Sequence, residues 1–323
     1  TLSIGVAAYP GDGKDRQSLV RAADMALYAS KRLGRNRVMS YVPDLDTASS
    51  AKTTRGKGPE DQLLALERSL ERGSFEFVYQ PIVEGTSWRI FGYEALCRPA
   101  EEVFANVTEL ISTAERAGKV TVLGRIMRAC AVQPLDDLAE GFHLFINLHQ
   151  HEIYDPALVE ADSMRLPWAH RTVLELPEAA VLRDLERVRR TVGQLKDLGF
   201  KIALAEIGAT YGTLEVMTSL EVDFVKLSRR LLSGASSELR TERLLRHILD
   251  FAIGEGIQPI AEGIETLEQL RQVQNLKCPL FQGFLFGKGE PPFAAASIPP
   301  TANAGRGKAS STSKGAKTPK RAT

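Results

Sequence analysis

Six times between residues 144 and 282 of this chain a short apolar stretch ends on one polar residue and gives way to a loop or helix. These are LFIN at Asn147, TVLE at Glu175, IALAE at Glu206, DFVK at Lys226, PIAE at Glu262 and LFQ at Gln282. Carboxylate and amide oxygens gathered in this way can hold a hard divalent cation. They can equally be held by one another and by a lysine. Glu94, Glu175 and Glu262 all follow apolar runs, where an unpaired charge is costly, and Lys226 is the single cation among these strand ends. Two readings therefore stay open: Lys226 neutralises the acids as a salt-bridged polar core, or three acids against one lysine leave a negative charge that invites a metal ion.

The elements that must position such residues are parallel strands closed into a barrel, because barrels of that kind carry their chemistry at the C-terminal ends of the strands and fill their core with the rest. The length and composition allow it. The chain has 323 residues, is 43% hydrophobic and 25% charged, and carries a formal net charge of +1, enough for a sizeable core. The near-neutral balance gives no reason to expect nucleic acid as a partner. Cys97, Cys130 and Cys278 are far apart and lack metal-ligand spacing, which reads as free thiols in a reducing compartment. No apolar run is long enough to span a bilayer, and the chain opens inside an apolar strand, so the start of the protein is expected to lie upstream of Thr1.

Along the chain, residues 1–42 read as strand, PGDG turn, amphipathic helix (SLVRAADMALYASKRLG) and a short strand near Arg37–Met39, too little to fold alone. Residues 43–59 have a linker's composition. A βα alternation occupies 60–295, and the basic tail 296–323 reads as disordered. His149 and His151, two apart on a loop, are expected to face solvent rather than form a metal pair. Cys97 is expected to point into packing, and the Arg and Lys residues of ERVRRTVGQLKDLG to lie on a solvated helix face.

Within 60–295 the segments YQP (Tyr79 to Pro81), YEALCR (Tyr93 to Arg98), INL, LELPE, AEIGATYG, VKLS, AEGIET and QGFLF follow one another. This ordered set resembles the EAL domain, the bacterial phosphodiesterase family that opens cyclic di-GMP (c-di-GMP) to linear pGpG. The fold implied is α/β, a TIM-like (β/α) barrel. TLSIGVAAYPGDG followed by AADMALYASKRLGRNRV resembles the last third of the GGDEF domain, the diguanylate cyclase family, whose naming loop would lie upstream. That second resemblance implies phosphate contacts at Lys31 and Arg35, which could equally be two surface cations on a helix end.

By resemblance, Mg2+ or Mn2+ would be bound by Glu94, Asn147 and Glu175. Two such ions about 3.5–4 Å apart would make hydroxide and stabilise the developing charge. Dinucleotide contacts would come from Gln80, Leu96, Arg98, Glu265 and Gln282, and Glu178 would anchor the loop after Glu206. Glu262 and Lys226, with Glu206, would serve catalysis if the site is active. Gln80 could instead be a satisfied strand amide, and Arg98 could pair with a surface acid. The family's Asp-Asp-Phe-Gly-Thr-Gly loop appears here as Ala205-Glu206-Ile207-Gly208-Ala209-Thr210, and its Lys-Ile-Asp as Lys226-Leu227-Ser228. The carboxylate that bridges two metals is replaced by alanine, and another by serine. Thr210 in place of glycine also restricts the loop.

The resemblance thus implies a c-di-GMP receptor or regulator with lost or reduced hydrolysis. The alternatives are an active phosphodiesterase in which Glu206 substitutes for the missing acids, and a ligand-free scaffold. The expected setting is cytoplasmic, with an upstream membrane anchor left open, and homodimerisation through the EAL domain is a family habit.

Overall fold

The computed structural model describes residues 3–32, 38–41, 58–160, 166–207, 213–229, 231–232, 239–290 and 292–296. Most of the expected linker and of the tail, Arg35 and the loop 208–212 with Thr210 lie outside the described residues, whereas Pro59, within the span expected as linker, opens a helix. The chain divides into two compact units, Thr1–Gln62 and Leu63–Thr323.

In the first unit, β1 (Ile4–Val6) and β2 (Val38–Ser40) pair in parallel, Ile4 opposite Val38, with α1 (Arg16–Arg32) between them in sequence. A parallel pair needs such a crossover. Gly5 lets the helix close on the sheet, since a Cβ there would lie 2.1 Å from the carbonyl oxygen of Ala23. Lys31 belongs to α1.

The second unit begins within α2 (Pro59–Arg72) and then builds a closed barrel. Its strands are β3 (Glu76–Glu84), β4 (Ile90–Arg98), β5 (His143–Asn147), β6 (Thr172–Pro177), β7 (Lys201–Ile207), β8 (Phe224–Leu227), β9 (Gln258–Ala261) and β10 (Leu280–Gln282), in the order β10-β3-β4-β5-β6-β7-β8-β9. The intervening helices include α3 (Val107–Arg116), α4 (Val120–Ala131), α5 (Glu178–Arg183), α6 (Leu185–Asp197), α7 (Thr213–Ser219), α8 (Leu239–Gly254) and α9 (Leu267–Asn275). Local chemistry marks several starts. Asn106 accepts from the Glu109 amide, Asp184 from the Arg187 amide, and Thr266 and Gln269 close a reciprocal cap on α9, the arrangement that satisfies first-turn N–H groups.

The expectation of parallel strands needs one correction. β3 runs antiparallel to both of its neighbours, β4 and β10. Only five residues separate β3 from β4, which suffices for a hairpin and is far short of a parallel crossover. Gln80 consequently sits in mid-strand opposite Glu94 rather than at a C-terminal strand end.

Inside the barrel, one residue from each of seven strands (Ile82, Phe145, Val173, Ala203, Phe224, Ile260 and Leu280) forms a buried apolar layer, with Phe91 of β4 packed on it. Side chains two apart on a strand share a face. A two-residue step from this layer meets Gln80, Asn147, Glu175, Ala205, Lys226, Glu262 and Gln282 in turn. A period of two therefore produces the site, and on β7 it selects Ala205, not Glu206. Ala205 is 7% exposed, Glu206 is exposed with φ at 61°, and the β7–β8 register shifts between Leu204 and Ile207. Glu206 thus belongs to a bulge and not to the inward row in which its place at the end of IALAE had put it. Holding a glutamate in the left-handed region costs about 1–2 kcal/mol.

At the opposite end of the barrel, His143 opens β5. Its ring stacks on Phe91 with centroids 4.8 Å apart, and its Nε2 faces Lys201 Nζ at 2.9 Å. Burial, reinforced by the Lys201 charge, pushes the imidazole down to about 4 from 6.5. The folded state then binds fewer protons than the unfolded chain between pH 6.5 and 4. Its contribution is present above pH 6.5 and is lost as pH falls toward 4. Chemical denaturation at pH 7 and pH 4.5 should show His143→Gln losing less stability than the parent, by on the order of 2 kcal/mol after allowance for partial exposure. Equal losses would contradict this.

Candidate functional site

The polar layer converges on one nitrogen. Lys226 Nζ, fully buried, lies 2.8 Å from Glu94 Oε2, 2.7 and 2.8 Å from the two oxygens of Glu175, and 2.7 Å from Glu262 Oε1. Glu94 also accepts from Asn147 Nδ2 at 2.7 Å and from Gln282 Nε2 at 2.6 Å. Gln282 reaches Gln80 Oε1 at 3.1 Å, and Gln80 Nε2 donates to the Gly287 carbonyl at 2.9 Å. Seven side chains, six from strands and Glu262 from the residue just past β9, thus form one network. Lys226 sits above the Phe145 ring, its ammonium 6.0 Å from the centroid.

Charge is shared unequally. Burial raises the Glu94 carboxyl, but Lys226, Asn147 and Gln282 outweigh it and hold the group below its ordinary value. Glu175 is pushed up to about 8 by burial and by the Glu94 charge, which Lys226 offsets only in part. Glu262 is raised, by burial first, against the pull of Lys226. The lysine itself is held well above its usual range, because the three carboxylates overcome its burial. One ammonium stabilises one carboxylate fully and the others in part.

Glu94, Glu175 and Glu262 each offer an oxygen within 4.8 Å of the others, so by spacing alone they could grip a cation. The point where they converge is taken by the Lys226 ammonium. A second, bridged metal would need a carboxylate on β7, where the inward residue is the methyl of Ala205. The residues present do not fit a two-metal centre in this arrangement.

Around the network two clefts open, and Glu94 and Glu206 border both. The first, of about 390 Å³, is lined by Leu96, Arg98, Val107, Ile111 and Met127. Arg98 is exposed and makes no ion pair among the described residues; its Nη1 lies 3.5 Å from the Cys97 carbonyl. The second, of about 540 Å³, is lined by Gln80, Ser228, Arg229, Glu265, Gln282 and Phe284. Phe284 presents a ring that is 54% exposed.

Glu178, the expected loop anchor, is the buried first residue of α5; the loop it would hold is not among the described residues. Cys97 is buried as expected, and burial pushes its thiol up to about 12. The solvent-facing reading of His149 and His151 is overturned. Both are half-buried. His149 Nε2 lies 3.1 Å from Glu115 Oε1, its Nδ1 accepts the His151 amide at 3.3 Å, and His151 Nε2 faces Arg183 Nη1 at 3.1 Å. Together with Glu115 they could form a three-ligand set, but a guanidinium on one imidazole and a cap bond on the other make an ion-paired rim. Arg229 is the functional candidate that sequence reasoning missed: the first of two adjacent arginines after VKLS, it carries no periodic or motif signal.

The EAL domain family matches residues 64–289. The chain belongs to this family. Residues 1–37 match the diguanylate cyclase GGDEF domain. The chain is 26% identical over 297 residues to an uncharacterized signaling protein of Caulobacter vibrioides, covering 90% of this chain and 36% of that protein. It is also 26% identical over 304 residues to the bifunctional diguanylate cyclase/cyclic di-GMP phosphodiesterase MucR of Pseudomonas aeruginosa, covering 90% and 43%. It therefore spans less than half the length of either.

The EAL barrel superimposes on the MucR phosphodiesterase solved with c-di-GMP with a TM-score of 0.64 at 24% identity, over 72% of this chain and 98% of that one. Klebsiella pneumoniae BlrP1, solved with manganese and the cyclic dinucleotide, aligns with a TM-score of 0.58 at 25% identity, over 66% and 55%. Among the described residues no helix is long and apolar enough to cross a membrane.

Proposed function

We propose that the EAL barrel is a c-di-GMP receptor whose hydrolytic activity is lost or strongly reduced, part of a GGDEF–EAL signalling protein. The observation that carries this is the inward residue of β7. A methyl group stands where a bridging carboxylate would have to be, and the Lys226 ammonium occupies the point on which the remaining acids converge.

The groups expected to touch ligand stay on the cleft walls. Leu96 and Arg98 line one cleft, and Gln80, Glu265 and Gln282 the other. An arginine fork suits a phosphodiester or a guanine edge, and a glutamine offers donor and acceptor together. MucR and BlrP1, solved with c-di-GMP, show the ligand class that barrels of this fold accommodate. The reading includes a GGDEF fragment over 1–42, a linker over 43–59, the barrel over 60–295 and a basic tail over 296–323. Action is cytoplasmic, any dimer forms through the barrel, and no nucleic acid partner is invoked.

Titration calorimetry of the full chain with c-di-GMP should show micromolar binding that is unchanged between EDTA and magnesium. Arg98→Ala should weaken it about 10-fold, the loss of one charge-assisted contact. Steady release of pGpG by the parent chain under magnesium or manganese would sink the receptor reading in favour of an active phosphodiesterase.

A further inference from the structure

The second cleft holds an arginine that no motif assigns. Arg229 grips Glu265 bidentately, Nη1 to Oε1 at 2.5 Å and Nη2 to Oε2 at 2.8 Å, with its side chain 58% exposed and that of the glutamate 34%. Its aliphatic stem lies across Gly263, where a Cβ would come within 3.0 Å of Arg229 Cβ and 3.2 Å of Cδ. Gly263 also has φ at 70°, a conformation that favours glycine. The fork is therefore aimed by a close approach that only glycine leaves open.

Charge makes the position matter. The cleft walls carry Glu94, Glu206, Glu262 and Glu265, and Lys226 is spent inside the network, with no exposed surface to offer. A dianionic ligand entering this mouth meets repulsion unless a cation on the wall is free to turn toward it. Arg98 serves the first cleft. On the wall of the second, Arg229 is the cation among the described lining residues, with the Lys288 ammonium over the Phe284 ring of the same wall. A cyclic dinucleotide has two equivalent halves, each a purine and a phosphodiester. Laid across Glu94 and Glu206, which border both clefts, it would send one half to each side. The second half would find the guanidinium of Arg229 and the side chain of Phe284, a residue 54% exposed whose ring has the Lys288 ammonium 5.7 Å from its centroid.

We propose that Arg229 is the second anion-binding residue of the site, and that Glu265 is its latch, holding the fork in place until a phosphodiester displaces the carboxylate. An exposed ion pair contributes little to stability, whereas a guanidinium to phosphate contact sheltered in a cleft is among the stronger polar contacts. The exchange is therefore downhill. This inference rests on the dinucleotide reading above and adds to it both a residue and a sign. Glu265, expected to contact ligand directly, here acts against binding by competing for the arginine.

The opposing signs supply the test. Calorimetric titration of the full chain with c-di-GMP at fixed salt should give Arg229→Gln an affinity lower by about 10-fold and Glu265→Gln one higher by about 3-fold, the worth of one charge-assisted contact and one exposed ion pair respectively. Arg229→Lys, which keeps the charge and loses the fork, should fall between Arg229→Gln and the parent. Both positions are on the surface, so thermal melts should stay close to the parent. If the parent does not bind, the dinucleotide reading falls and the latch with it. Where the parent binds, unchanged affinity in Arg229→Gln, or equal weakening in both variants as a passive strut would give, overturns the latch alone.

Discussion

Replacing Lys226 by methionine should destabilise the barrel by about 3–5 kcal/mol at pH 7.5, the usual consequence of removing one partner from a buried ion pair. The argument rests on what is left behind. Methionine fills much of the volume over Phe145, so packing changes little and the loss reports charge. Glu94, Glu175 and Glu262 would face one another within 4.8 Å with no ammonium between them, and like charges at that distance cannot all stay ionised.

Two consequences separate this from a simple packing defect. The variant should recover stability as pH falls toward 5, where Glu94, held ionised by Lys226 in the parent, takes up a proton. It should also be stabilised by millimolar manganese, by about 3 kcal/mol where the ion reaches a hundred times its dissociation constant, while the parent is not. Denaturant melts across pH, with and without metal, measure both. A variant within about 1 kcal/mol of the parent and indifferent to manganese would show that the lysine is not what holds the acids together.

The second large effect is a gain. The triple change Ala205→Asp, Glu206→Asp and Ser228→Asp should raise pGpG release under magnesium or manganese at least about 100-fold over the parent, the scale of the several kcal/mol that a metal clamp contributes to a hydrolytic transition state. Each substitution suits its place. Position 205 faces the polar layer, and a carboxylate there has Glu94, Glu175 and Glu262 as fellow ligands. Position 206 has φ at 61°, which aspartate tolerates better than glutamate. Ser228 Oγ accepts the Leu231 amide at 3.3 Å, a cap that aspartate makes equally well. A fourth and fifth acid against the single Lys226 ammonium tip the charge balance toward a divalent ion. A folded triple variant that releases no pGpG would place the lesion outside these three positions.

Much of this was legible along the chain. The ordered motifs identify an EAL barrel, and apolar runs ending on Asn147, Lys226, Glu262 and Gln282 place those residues at the polar mouth. The side-chain period of a strand is local, so it can be read without neighbours. The direction of β3 was legible in principle too, since a five-residue connection excludes a parallel crossover. It was missed because barrel strands were taken to share one sense.

Other features depend on closure. Lys226 is 132 residues from Glu94 and 51 from Glu175, and no local pattern says that one ammonium meets both while also reaching Glu262. Nor does a pattern say that a bulge at Leu204/Ile207 leaves Ala205 facing inward and turns Glu206 onto the rim. The ion-paired setting of His149 and His151 and the fork of Arg229 on Glu265 likewise join elements that only the closed barrel brings side by side.

The amino-acid sequence by itself determined the family, the order of the strands and the loss of an acid on β7, because each is written in residue types at short spacing. The tertiary structure decided which side of β7 faces the site and how one buried lysine is divided among three carboxylates, because register and burial exist only after the strands have closed.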